Sequence, residues 1–175
     1  MPRRIEIRES RPGDLAKIAL LYPKAFPDED LLPLVRSLLQ EVPTPLSLVG
    51  INSSQLAGHV IYTACSVVGS SHKAALLGPL AVAPAWQRQG IGSAIVRAGL
   101  RRLEDAGFSH VYVLGDPAYY GRFGFLPEYG VAPPYALPAE WDGAWQSKSL
   151  SDAAKPCPGN LSVPKPWLQR ALWAP

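Results

Sequence analysis

The chain has 175 residues, 47% of them hydrophobic and 18% charged, a length and balance that suit one domain burying roughly two-thirds of its unfolded surface around a single core. A formal net charge of +3 is too small an excess to neutralise a nucleic-acid backbone, and no stretch reaches the length of a membrane span, so neither nucleic acid nor membrane is expected as a partner. The two cysteines, Cys65 and Cys157, match neither a zinc spacing nor a disulfide framework, which fits a reducing compartment and implies no metal.

The N-terminus lacks the apolar core of a signal peptide and runs straight into alternation, so a soluble cytoplasmic protein is expected. Arg3 to Arg8 alternate charged and apolar residues, with Ile5 and Ile7 on one face, the period of a half-buried strand. Gly13-Asp14 opens a helix that runs through Ala25, with Leu15, Ile18, Ala19 and Tyr22 on its inner side, and Pro27 marks its end. Asp28, Glu29 and Asp30 place negative charge at the start of a second helix, Leu31 to Glu41, with Leu34, Leu38 and Leu39 inward, and Pro43 and Pro45 stop it. Leu46 to Ile51 and Leu56 to Val68 read as strands joined by the Asn52–Gln55 loop into an antiparallel hairpin. Gly69 to Lys73 is a polar break before Ala74 to Val82, a nearly continuous apolar run expected to form a central strand.

Pro84 to Gly90 forms a turn ahead of a helix from Ile91 to Ala106, where Ile95, Val96, Gly99, Leu100, Leu103 and Ala106 share one arc and Gly107 supplies the C-cap. His110 to Leu114 is a further strand, making a strand-helix-strand crossover with parallel strands. Asp116-Pro117 has the N-cap and first-turn pattern of a short helix through Phe123. Beyond Phe125 the chain is rich in proline and tryptophan, with short strands and loops expected to cover the sheet.

The turn Gln87-Arg88-Gln89-Gly90-Ile91-Gly92 lies between an apolar strand and an amphipathic helix, so its N–H groups converge at a helix N-terminus and form an anion site sized for a diphosphate. Glycines at 90 and 92 let the backbone approach the anion, and Arg88 adds a charged donor. The alternative is that these glycines only shape a strand-to-helix turn. Gly92 is followed by Ser93-Ala94 rather than the Lys of a nucleotide P-loop, and Ile95 stands where a dinucleotide fingerprint requires its third glycine.

The Gln-x-x-Gly-x-Gly motif after the apolar strand resembles the acetyl-CoA signature of the GNAT acetyltransferase superfamily. A second segment, Tyr119-Tyr120-Gly121-Arg122-Phe123-Gly124-Phe125, resembles that superfamily's aromatic-Tyr-x-x-x-Gly-Phe stretch one crossover later. The resemblance covers Leu77 to Phe125 and agrees with the order of elements before it. It implies an α/β fold with a mixed, mostly antiparallel sheet flanked by helices, in which two central strands splay. Leu80, Ala81 and Val82 would then offer a backbone edge to the pantetheine arm of acetyl-CoA, and the backbone from Gln87 to Ser93 (Gln87, Arg88, Gln89, Gly90, Ile91, Gly92, Ser93) would hold the pyrophosphate.

By the same resemblance Tyr120 stands where relatives place a general acid. A phenol of ordinary pKa about 10 is suited to supply a proton to a leaving thiolate whose thiol has a pKa of about 8.5. Packing is the other reading of Tyr120, and of Tyr119 beside it. Asp116 reads first as a helix cap and second as a base; His59 and His72 read as hydrogen-bonded structural residues. Many relatives carry a glutamate base on the central strand, whereas Ala74 to Val82 holds no acidic residue, so the acceptor's proton is left either to a side chain elsewhere or to water. Arg97, Arg101, Arg102 and Arg122 read as a solvated face or as contacts to the cofactor's 3′-phosphate.

The expected function is therefore transfer of acetyl from acetyl-CoA to a primary amine, on a small molecule or a peptide, by one domain spanning 1–175. A non-catalytic acyl-CoA-binding or sensing module is the alternative, and a nucleotide-binding oxidoreductase the third. The tail's tryptophans, Trp141, Trp145, Trp167 and Trp173, either line an acceptor pocket or staple loops, and the tail leaves room for a homodimer.

Overall fold

A computed structural model of the chain describes residues 4–150, 156 and 158–174, so Arg3 at the head of the expected first strand and Cys157 lie outside the described residues. By its internal contacts the chain divides into two compact units. The first holds the chain up to Tyr62 together with Gly78–Arg101; the second holds Thr63–Leu77 together with Arg102 onward.

In the first unit β1 (Glu6–Glu9), β2 (Leu46–Asn52) and the first part of β3 (Gln55–Val67) form an antiparallel meander, with β1 paired from Glu6↔Ile51 to Glu9↔Leu48. The β2–β3 ladder extends to Asn52↔Gln55, so the hairpin closes on Ser53-Ser54 alone, two residues tighter than expected, with Ser53 in the left-handed region at φ 55°. Alternation along β3 sends successive side chains to opposite faces. His59 meets Tyr22 of α1 (Leu15–Ala25) on one face. Gly58 and Tyr62 meet Ile95 and Gly99 of α3 (Ile91–Asp105) on the other. α2 (Leu32–Leu39) buries Leu34, Val35 and Leu38, so Val35 rather than Leu39 completes its inner face.

The first helix differs from expectation in phase. Asp14 belongs to a 3₁₀ turn, Pro12–Asp14, and its carboxylate reaches back to Arg8, at 2.7 and 2.9 Å, and to the Arg11 N–H at 2.7 Å. α1 runs from Leu15 behind Asp14 to Ala25, as expected, but its buried side is made by Ile18, Leu21 and Tyr22, while Leu15 is 39% exposed. At the far end α3 stops at Asp105, leaving Ala106 exposed, and Gly107 closes it at φ 86° as expected.

In the second unit residues Ala74–Leu77 of β4 (Ala74–Val82) pair parallel with β5 (His110–Leu114), from Ala74↔His110 to Leu77↔Val113. β8 (Trp145–Ser149) then pairs antiparallel with β5, and β6 (Leu126–Pro127) with β8. β7 (Val131–Ala132) pairs parallel with β9 (Gly159–Ser162), which also pairs antiparallel with the end of β3. The region after Phe125 is therefore part of the sheet rather than only a cover for it. Three of its tryptophans are staples: Trp145 stacks on Tyr112 at 5.7 Å, Trp173 packs edge-on to Trp145, and the Trp167 indole N–H donates to Thr63 Oγ1 at 3.2 Å. The first unit is antiparallel, with helices covering its strands, and the second mixes antiparallel with parallel pairs, in agreement with the expected mixed, mostly antiparallel α/β class.

Candidate active site

In the first unit β4 runs on past Leu77, and from there Pro79 brings no N–H to a ladder. The Ala83 N–H donates to the Ala57 carbonyl at 2.9 Å, so residue 83 faces β3. Backbone polar groups alternate sides along an extended strand, which turns Ala81 toward β3 as well and leaves Leu80 and Val82 facing the other edge. The Val82 carbonyl accepts from Gln87 Nε2 at 3.0 Å. Of the three residues expected to meet pantetheine, Leu80 and the Val82 N–H are thus the ones turned away from β3, and Ala81 is not.

The turn after β4 begins with a 3₁₀ turn, Pro84–Trp86, anchored by buried Trp86. Two carboxamides brace it: Gln87 returns to Val82, and Gln89 Nε2 donates to the Ala85 carbonyl at 3.1 Å. Their side chains hold the loop's shape, and residues 87–90 are exposed. Arg88 and Gly90 both take left-handed φ values, 63° and 79°. Gly90 has open space where a Cβ would lie, so its backbone angle, not crowding, calls for glycine. The Ala94 N–H donates to the Gly90 carbonyl at 3.0 Å, making Gly90 the N-cap. Ile91, Gly92 and Ser93 form the first turn of α3, whose N–H groups a helix cannot satisfy internally. With an exposed arginine and no acidic side chain between Ala83 and Ser93, this arrangement fits a diphosphate in both charge and donors.

Tyr120 lies in the second unit, on α4 (Pro117–Tyr120), which Asp116 caps by accepting the Ala118 N–H at 2.9 Å. Asp116 is thus a helix cap, in agreement with the Asp-Pro pattern. The Tyr120 ring is half-buried, with Tyr119 edge-on at 5.0 Å and Phe125 at 5.8 Å. Burial, with a smaller push from the Tyr119 hydroxyl, raises its pKa above that of an ordinary phenol, so it stays protonated through the neutral and mildly alkaline range. Arg122 is engaged locally, its guanidinium 4.3 Å from the Tyr119 ring centre and its Nε donating to the Tyr119 carbonyl.

Tyr22 Oη and Ser47 Oγ bond the two ring nitrogens of His59 at 2.7 and 2.8 Å, and burial pushes its pKa down to about 3, which makes it a neutral core residue. His72 contacts Ser109 and packs edge-on to His110. Among the described residues no cluster of three or more His, Cys, Asp or Glu side chains is placed to hold a metal, and no helix is long and apolar enough to cross a membrane. Two residues next to Tyr120 escaped sequence reasoning: Gly115, against which its ring lies, and Gln146, whose amide bonds the Gly115 carbonyl. A glycine at the end of a strand was their sole signal.

The family model for the acetyltransferase (GNAT) family matches residues 15–125, which span both motifs. The chain belongs to the GNAT acetyltransferase family. That makes it an enzyme of acyl transfer. It is 31% identical over 161 residues to the uncharacterized N-acetyltransferase YjhQ of Escherichia coli K12, covering 88% of this chain and 89% of that protein. It is also 32% identical over 152 residues to the uncharacterized N-acetyltransferase YhbS of the same strain, covering 85% and 89%. The crystal structure of Escherichia coli YhbS in complex with CoA superposes with a TM-score of 0.83 at 29% identity, over 95% of this chain and 93% of that one. A GNAT family acetyltransferase from Brucella melitensis in complex with acetyl-CoA superposes with a TM-score of 0.75 at 27% identity, over 94% and 99%.

Proposed function

We propose that this GNAT family member transfers an acetyl group from acetyl-CoA to a primary amine, on a small molecule or a peptide, by direct attack. The observation that carries this reading is the turn held open by Gly90 in front of α3, where the N–H groups of Ile91, Gly92 and Ser93 and the Arg88 guanidinium offer a diphosphate its donors. Leu80 and the Val82 N–H would receive the pantetheine amides. The relatives that carry CoA and acetyl-CoA support the same cosubstrate.

In the proposed step the amine lone pair forms a C–N bond to the thioester carbonyl, collapse of the oxyanion breaks C–S, and the ammonium proton leaves to water. Tyr120 donates to the departing sulfur. Because its pKa is raised, it acts chiefly as a hydrogen-bond donor that stabilises developing thiolate, with solvent completing the protonation. The same reading takes residues 1–175 as one domain acting in the cytoplasm, alone or as a homodimer.

Calorimetric titration with acetyl-CoA, CoA and NAD tests the cofactor. Micromolar binding of the CoA species, absent for NAD and lost in Gly92→Trp, is expected; a folded protein that binds neither CoA species refutes the reading. In turnover, Tyr120→Phe should slow CoA release by about 100-fold without weakening acetyl-CoA binding. An acyl-CoA-binding module without turnover is the second reading, favoured by the absence of an acidic residue from Ala74–Val82. Tight acetyl-CoA binding with no CoA release across a broad amine panel would decide for it.

A further inference from the structure

We infer that Gly115 is a positioning residue for Tyr120, its missing side chain forming the seat that fixes the phenol ring. The inference rests on the reading of Tyr120 as the donor to the leaving sulfur.

Gly115 follows the last residue of β5, and both its backbone polar groups are committed. Its N–H donates to the Ala144 carbonyl at 3.0 Å, and its carbonyl accepts from Gln146 Nε2 at 3.1 Å. The Gln146 amide also reaches the Ala144 carbonyl at 3.3 Å, and the side chain is 1% exposed. A buried amide is costly unless bonded, so Gln146 holds Gly115 and Ala144 together from within the sheet. Against this pinned backbone lies the Tyr120 ring. A Cβ on Gly115 would overlap Cε2 of the ring and stand 2.9 Å from Cδ2. Gly115 is not in the left-handed region, so space rather than backbone conformation calls for glycine here. Tyr119, Phe123 and Phe125 contact the ring as well, at centroid distances of 5.0, 6.3 and 5.8 Å. The hydroxyl's position is thus set by a rigid slot whose floor is a bare Cα.

Alanine at 115 forces the ring to retreat by on the order of 1 Å, a displacement of the size that costs about 100-fold when it moves a catalytic group. The experiment compares Gly115→Ala, Tyr120→Phe and the double variant. CoA release from acetyl-CoA is followed with a thiol reagent, using water, spermidine, glycinamide and an alanine-initiated peptide as acceptors. Gly115→Ala should lower kcat by about 100-fold with acetyl-CoA affinity unchanged within about twofold, and the double variant should be no slower than Tyr120→Phe alone. Losses that multiply in the double variant, or a loss of acetyl-CoA affinity, would mean that Gly115 acts through general packing and would overturn the inference. Wild-type kcat in Gly115→Ala overturns it while leaving the role of Tyr120 standing; wild-type kcat in Tyr120→Phe removes that role and the inference with it.

The ring itself gives a readout that does not depend on turnover. With ¹³C-labelled tyrosine, the ring signal that disappears in Tyr120→Phe should shift in Gly115→Ala, and an unshifted signal overturns the inference. Should alanine at 115 prevent folding, Gln146→Met releases the Gly115 carbonyl while keeping the side-chain length. It should shift the same signal and lower kcat by about tenfold, again without adding to Tyr120→Phe, and an unmoved signal with wild-type kcat would overturn the inference equally.

Discussion

Alanine in place of a glycine inside a helix usually stabilises a protein by about 1 kcal/mol, through backbone entropy. Gly99, in the middle of α3, should do the reverse. A Cβ there would overlap Cε2 of Tyr62 and lie 2.7 Å from Cζ, and Tyr62 is 1% exposed with its hydroxyl donating to the Val96 carbonyl at 2.8 Å. The ring cannot flex away from its edge as a lysine would. Overpacking of this kind costs about 1–3 kcal/mol, and disturbing the bond of a buried hydroxyl costs a similar amount. Set against the helix gain, Gly99→Ala should destabilise by about 2–3 kcal/mol, lowering the melting temperature by roughly 5–10 °C. Thermal and urea denaturation would measure this, alongside Tyr62→Leu and the Gly99→Ala/Tyr62→Leu pair. Removing the ring should abolish the alanine penalty, giving a coupling energy of about 2 kcal/mol. A melting temperature that rises in Gly99→Ala, or penalties that simply add in the pair, would refute the close approach of ring and helix.

Arg88 carries a left-handed φ of 63°, which costs a non-glycine residue about 1 kcal/mol or more. Arg88→Gly should therefore raise the melting temperature by a few degrees while weakening acetyl-CoA binding by about tenfold in calorimetry; unchanged affinity would remove Arg88 from the site. His59 makes the protein acid-sensitive. Its folded pKa of about 3 lies below the unfolded value near 6.5, so the unfolded chain binds the extra proton between them. The stability is thus present above pH 6.5 and lost as pH falls, at about 1.4 kcal/mol per unit well below that value. Asp14, held at about 2 chiefly by its bonds to Arg8, adds a loss of the same sign below about pH 4. Melting temperatures measured from pH 7 to 4.5 should fall for the wild type and much less for His59→Gln; equal slopes would place the acid sensitivity elsewhere.

Where the sequence was legible, the signal was a backbone rule that acts locally. The hairpin of β2 and β3 and the strand β4 stood out because apolar and β-branched residues alternate or run on between polar breaks, and the ends of α3 because Gly90 and Gly107 take left-handed angles that other residues resist. The errors arose where tertiary partners changed a local choice. Arg8 holds the Asp14 carboxylate at the head of α1, and the buried face of that helix takes in Asp14 and Leu21 in place of Leu15. β8 is one of the short strands expected after Phe125, but its position is not legible because Trp-Gln-Ser-Lys-Ser has no apolar period. Gln146 is nevertheless buried, since the Gly115 and Ala144 carbonyls accept its amide, and a pattern that counts apolar residues cannot see a polar side chain paired in the core.

The phosphate-type turn and the Tyr120 segment differ in the same way. Binding of a diphosphate asks for N–H groups at a helix start and room for them to be approached, requirements that are written as glycine spacing and survive wide changes in side chains. Even there the alternation of strand backbone, and not residue identity, separates Leu80 and Val82 from Ala81. Catalysis asks instead for one hydroxyl within a fraction of an ångström of its place, and a Tyr in a motif says only that the hydroxyl is nearby. Its position depends on what lies behind the ring. Here that is a glycine at the end of the preceding strand, itself held by a glutamine some thirty residues further on. Neither residue bears on the chemistry by type, so no motif of reactive groups would include them. The same reasoning extends to relatives with the Tyr-x-x-x-Gly-Phe segment: the residue against which the tyrosine ring rests should determine how far an otherwise intact motif retains turnover.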